Sequence, residues 1–278
     1  VTKQLILSNQ QKKGLKKRQI PIVVTVHDEY SVPFPTNLKH RIKQQFYRFE
    51  DIIDHFIIPA KHYYQLLAKN KRANIHYIPH FINLENWRYH PAINTKKQLL
   101  FVGRLEQEKG IFLLLNTLAA LVKEDADYQL TIVGEGKEKQ KIHQQIKSLG
   151  IANNVRVVGF KTAKALSNYY QQATLLIVPS LKKELFGLVG IEAQASGLPV
   201  IASDLAGMQE WCIHQQTGMT FKAKNAKQLQ QQIQNLIADT ILQEKLIKNA
   251  YQFVINNFSE EKAMTQLLDL YKTILHEV

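Results

Sequence analysis

Between residues 98 and 221 the chain alternates short apolar runs with stretches of helical periodicity, and this alternation constrains the fold more than any other feature. Apolar runs fall at 98–102, 129–133, 155–158, 174–178, 200–203 and 218–221. Most are continuous rather than two-residue alternations, as expected of strands buried on both faces of a parallel sheet. Helical patterns fill the intervals, as at 111–123, 138–149 and 163–172. Repeated strand–helix units of this kind build an α/β, doubly wound, Rossmann-like domain. Ligands of such sheets collect outside the carboxyl ends of the strands, so chemistry is sought just past each apolar run.

Three of those places carry suitable residues. After the 174–178 run comes Glu184-Leu-Phe-Gly-Leu-Val-Gly-Ile-Glu192, with a loop carboxylate, a helix expected to start near Gly187, and a second carboxylate one to two turns in. Gly187 lets a ligand approach the backbone, and the amides around Phe186, Gly187 and Leu188 lie at the positive end of the helix, which suits a diphosphate. Glu184 and Glu192 can accept from sugar and ribose hydroxyls. The same spacing also arises from a solvated helix charge and a loop charge. After the 98–102 run, Gly103-Arg104 and Lys109-Gly110 place a guanidinium and an ammonium on one strand-end loop, a pair that can neutralise a diphosphate. A surface Arg and Lys beside helix-start glutamates is the plain alternative. After the second and third runs, Gly134-Glu-Gly136 and Gly159-Phe160 are glycine turns. No third glycine follows Gly136, so the dinucleotide fingerprint is incomplete and a nicotinamide cofactor is not expected.

Elsewhere the signals are coarser. The chain has 278 residues, 45% hydrophobic, enough for one large or two modest domains. No apolar run approaches the roughly 20 residues of a membrane span. The single cysteine, Cys212, argues against disulfides and for a reducing cytoplasm. The formal net charge of +13 is spread along a Lys/Gln/Asn-rich surface. Solvation alone accounts for such a surface; an anionic lipid surface or substrate is the alternative, and no nucleic acid is expected. The strand 20–26 ends at His27-Asp28, a basic aromatic stretch follows at 38–49, and two short strands at 52–59 and 74–79 flank a helix at 61–68. The 38–49 stretch reads equally as a plain surface helix or as one lying on a membrane. Residues 84–97 read as a linker, and helical patterns close the chain at 227–237, 242–253 and from Ser259, an N-cap signal, to about 275.

Glu-x-Phe-Gly-x-x-x-x-Glu followed by Ala-x-x-Ser-Gly-x-Pro-Val-Ile-Ala-Ser-Asp resembles the donor-binding segment of family 4 GT-B glycosyltransferases. The resemblance runs over about residues 20–278. It implies a partial acceptor-side domain at 1–90, a nucleotide-sugar domain at 91–258 and a helix at 259–278 that crosses back. It also implies a retaining hexosyltransferase working without a metal or a resident cofactor, with a UDP- or GDP-linked sugar as substrate. Within it, Arg104 and Lys109 stabilise the leaving diphosphate, Glu184 holds the sugar, Glu192 the ribose, and His27 faces the sugar from the first domain. Gly103, Gly134, Gly136, Phe160, Phe186, Gly187 and Leu188 line the donor. The acceptor is a glycan or lipid-linked sugar of cell-surface polysaccharide, met at the inner face of the cytoplasmic membrane. Family members carry three further strand–helix units before Thr25-Val-His-Asp28, so a companion chain supplying them is a candidate partner. His80-Phe81 stands where Asn-Gly is usual. Two alternatives stay open: an inactive or partner-dependent nucleotide-sugar-binding module, and a basic peripheral-membrane or nucleic-acid-binding protein.

Overall fold

A computed structural model describes residues 21–26, 53–68, 74–91, 93–182 and 184–276, together with Gly14. His27 and the 38–49 stretch lie outside these residues. The chain divides into two compact units, Phe81–Lys262 and a smaller one to which residues on either side of that segment contribute.

The smaller unit holds a parallel sheet of β1 (Val23–Thr25), β2 (His55–Ile58) and β3 (Asn74–Tyr77), in that spatial order, with helix α1 (Lys61–Ala68) in the β2–β3 crossover. All four residues of β2 are buried, as befits the central strand. Its apolar cluster joins Ile57 and Ile78 to Ala263, with Val23, Leu267 and Leu270 against them. The final helix therefore completes this unit's core.

In the larger unit, β4 (Gln98–Val102), β5 (Gln129–Val133), β6 (Val155–Val157), β7 (Leu175–Val178), β8 (Val200–Ser203) and β9 (Met219–Phe221) form one parallel sheet in the order β6-β5-β4-β7-β8-β9. Each strand lies within one residue of its expected place. Alternate residues feed opposite faces: Leu99 and Phe101 of β4 enter one apolar cluster with Leu175 and Ile177 of β7, while Leu100, Leu176 and Val178 enter the other. Both faces are covered, which is why the strands read as continuous apolar runs. Each fully buried Leu or Ile contributes about 1.5–3 kcal/mol. Helices α2 (Ile111–Glu124), α3 (Lys139–Ser148) and α6 (Ala226–Ala238) pack into the first cluster, α4 (Ala163–Gln172) and α5 (Leu188–Ala195) into the second, and α7 (Thr240–Phe258) into both, through Leu246 and through Val254 and Phe258.

The last helix, α8 (Glu260–His276), follows α7 after the single residue Ser259. Ser259 pairs with Ile82 in an isolated bridge, and the first amide of α8, on Glu260, donates to the Ile82 carbonyl at 3.1 Å. One of the orphan donors at this helix start is thus met by backbone from the far end of the unit.

Candidate functional site

Strand order reverses between β4 and β7: from β4 the chain moves outward to β5 and β6, then returns to β7 and moves the other way. The helices that follow the two neighbours lie on opposite faces of the sheet, and ligands of this fold class bind at such a point, outside the carboxyl ends of the strands. Gly103 to Gly110 leave β4, and Pro179 to Gly187 leave β7.

Backbone hydrogen bonds fix these loops to their neighbours. Gly103 donates to the Val133 carbonyl (3.0 Å), Leu105 to that of Glu135 (2.9 Å) and Glu138 to that of Leu105 (3.1 Å), extending the β4–β5 ladder beyond the strands. A β-carbon at Gly134 would lie 1.8 Å from the Gly103 oxygen, and one at Gly136 2.4 Å from the Leu105 oxygen. Glycine at these two positions thus has a packing reason, whatever ligand approaches. On the other side, Leu181 donates to the Glu108 carbonyl (2.8 Å), and Gly110, with φ 74°, sits where a β-carbon would come within 1.8 Å of the Pro179 oxygen.

This clamping brings Lys109 and Glu184 together although 75 residues separate them. The Lys109 Nζ donates to Glu184 Oε1 at 2.6 Å, and the Ser180 hydroxyl donates to Glu184 Oε2 at 2.7 Å. Both ionic side chains are about one-fifth exposed, so the pair is only partly desolvated. Each group keeps capacity: an ammonium has three donors and a carboxylate about four acceptor sites. Arg104 takes a different posture. It is 64% exposed and bonds Glu106 at 2.8 Å on its own loop, an exposed pairing worth at most about 1 kcal/mol and readily exchanged for another anion.

Helix α5 starts where the glycine signal places it. Gly187, at φ 87°, is its N-cap residue, and Leu188 opens the helix partly exposed. Phe186 points inward: it is 2% exposed and meets Phe258 edge-on, so its ring packs in the core rather than lining a ligand site. Phe160 is the opposite, 73% exposed just past β6. Glu192 is the single charged residue in α5, and from Gly190 to Ala195 every other residue is buried. Its Oε2 accepts from the Tyr170 hydroxyl at 2.9 Å. Burial pushes the Glu192 carboxyl above its usual range, and the Tyr170 hydrogen bond partly offsets this. Burial, then the neighbouring carboxylate, pushes the Tyr170 phenol well above its usual value.

Sequence reasoning passed over the residues that support this loop. In the turn after β8, a β-carbon on Gly207 would lie 1.9 Å from the Glu184 carbonyl oxygen. Trp211 donates its indole N–H to the Phe186 carbonyl at 2.6 Å and lies over Gly190. Ser180 and Tyr170, which hold the two glutamates, were also missed. Ser180 lies four residues before Glu184, close enough for a local hydrogen bond to be anticipated. Tyr170 is 22 residues from Glu192 and no local pattern links them.

The sequence pattern of the glycosyl transferases group 1 family matches residues 85–253, and the chain belongs to this family. CapM, the capsular polysaccharide biosynthesis glycosyltransferase of Staphylococcus aureus, is 28% identical over 190 residues, covering 68% of this chain and 50% of CapM. The fold of this chain recurs in solved structures. Sucrose-phosphate synthase from Thermosynechococcus elongatus superposes with a TM-score of 0.80 at 24% identity over 96% of this chain and 71% of its own. Anabaena HepE, solved with UDP and glucose, has a TM-score of 0.78 at 20% identity, covering 91% and 71%. The architecture is that of GT-B glycosyltransferases. The chain spans about half the length of the curated relatives it matches.

Proposed function

We propose that the Phe81–Lys262 unit binds a UDP- or GDP-linked sugar and that the protein transfers the sugar with retention to a glycan or lipid-linked acceptor in cell-surface polysaccharide synthesis. The Lys109–Glu184 contact at the strand-order reversal carries the reading. It sets a cation for phosphate and a carboxylate for hydroxyls side by side at the carboxyl ends of β4 and β7, next to the first amides of α5. UDP and glucose in HepE and the polysaccharide role of CapM support the donor and acceptor classes.

Breaking the bond between the anomeric carbon and the diphosphate builds positive charge on the sugar and negative charge on the leaving group. Lys109, with Arg104 swung from Glu106, meets that negative charge together with the amides of Gly187 and Leu188. Fixed donors aimed where charge develops are usually the largest catalytic term. Glu184 accepts from the sugar hydroxyls while Lys109 and Ser180 keep it in place, and Glu192 accepts from the ribose. Phe160 offers an exposed ring to the base. No enzyme nucleophile is assigned, and neither metal nor resident cofactor is required.

Calorimetric titration with UDP, GDP and their sugars, repeated on Arg104→Ala and Glu192→Ala, tests this. Binding of one nucleotide, weakened in both variants, is expected. A folded chain that binds none of them overturns the donor site; nucleotide binding without transfer to any acceptor leaves a binding module.

A further inference from the structure

We propose that Tyr170 is a positioning residue for nucleotide recognition, its buried hydroxyl fixing one oxygen of Glu192 so that the rest of the carboxylate is presented to the ribose. The inference rests on the assignment of Glu192 to the ribose. Tyr170 is 1% exposed, and the edge-on ring of Trp87, 5.5 Å away between centroids, packs against it. Its hydroxyl has one proton. The 2.9 Å contact to Glu192 Oε2 claims it in preference to the Val189 carbonyl at 3.4 Å, because a bond to an ionised acceptor is the stronger. Glu192 itself is only partly buried while the residues after it in α5 are fully so.

The choice of partner matters. A cation would neutralise Glu192 and compete with an incoming hydroxyl for the same acceptor sites. A neutral hydroxyl occupies one site, sets the rotamer and leaves the remaining lone pairs for donors from the ligand. A tyrosine that merely fills core also needs a hydrogen-bond partner, so the test must separate filling from positioning.

Affinities of the full chain are compared for UDP and its 2′-deoxy and 3′-deoxy analogues, and for the corresponding GDP set. We expect Glu192→Ala to abolish most of the preference for the ribonucleotide. Tyr170→Phe should reduce that preference about fivefold and leave affinity for the analogue lacking the recognised hydroxyl unchanged within about twofold. In the Glu192→Ala background, Tyr170→Phe should change the preference no further. Equal weakening of ribo and deoxy ligands by Tyr170→Phe, or an unchanged preference, overturns the inference while the Glu192 assignment stands. An unchanged preference in Glu192→Ala overturns both. If Tyr170→Phe does not fold, Trp87→Phe keeps the hydroxyl and loosens the ring. A loss of preference of about twofold is then expected, and an unchanged preference counts against positioning.

Discussion

The two glutamates of the site are held in opposite ways. Glu184 sits on a loop and is compensated by charge: Lys109 takes one oxygen and Ser180 the other. Glu192 sits in a buried helix and is compensated by a neutral hydroxyl from Tyr170. Charge pairing secures a loop in ion-accessible surroundings. A hydroxyl holds a carboxylate on a packed helix without neutralising it. The contrast suits the proposed division of labour, in which Glu184 and Lys109 would meet the charge that changes during reaction and Glu192 a part of the ligand that does not react.

Breaking the charged pair should have the largest effect. Lys109→Ala removes the proposed phosphate partner and leaves Glu184 partly buried without its cation; transfer measured as kcat/KM should fall about 100-fold or more. A loss under about tenfold would mean that Lys109 serves Glu184 alone. Next, the loop support can be broken without touching either glutamate. A β-carbon at Gly190 would lie 2.1 Å from the Trp211 ring, so Gly190→Ala should cost about 1–3 kcal/mol in denaturant unfolding by overpacking. A neutral result would show that Trp211 is free to shift.

The third prediction separates the carboxylates by pH. Glu192 has its folded pKa raised by burial above the reference of 4.5, so its contribution to stability is greatest when it is protonated and is lost as pH rises through the folded value. Glu192→Gln should therefore gain stability over the parent at neutral pH, by roughly 1.4 kcal/mol for each pH unit separating the folded from the unfolded value. The gain should vanish in acid below the unfolded pKa. Chemical unfolding of both proteins from about pH 4 to about pH 8 shows this, and a constant difference across the range would argue against a buried charge. The smallest effect is reserved for Arg104→Gln: thermal stability within about 0.5 kcal/mol of the parent, with nucleotide affinity lowered and its salt dependence reduced.

Local pattern carried much of this molecule. The six strands of the larger unit and the start of α5 at Gly187 were legible because both sheet faces are buried and the helix opens on a left-handed glycine. What stayed hidden depends on folding to bring distant residues together. The Tyr170–Glu192 bond crosses from the helix before β7 to the helix after it. Trp211 reaches back 25 residues to the Phe186 carbonyl. Gly134 and Gly136 read as turn or ligand-facing glycines, and their contacts with backbone oxygens of neighbouring loops emerge only once the sheet is assembled.

The Ile82–Ser259 bridge has a consequence for the chain as a connected string. Ile82 donates to the Phe258 carbonyl at 2.9 Å and accepts from Glu260 at 3.1 Å, so the larger unit's first and last residues run side by side. A short peptide can therefore close Phe81–Lys262 into a ring, and fresh termini can be opened at the exposed turn before α6, near Lys224. Such a circular permutant keeps every strand pairing of the sheet while reordering the sequence that encodes it.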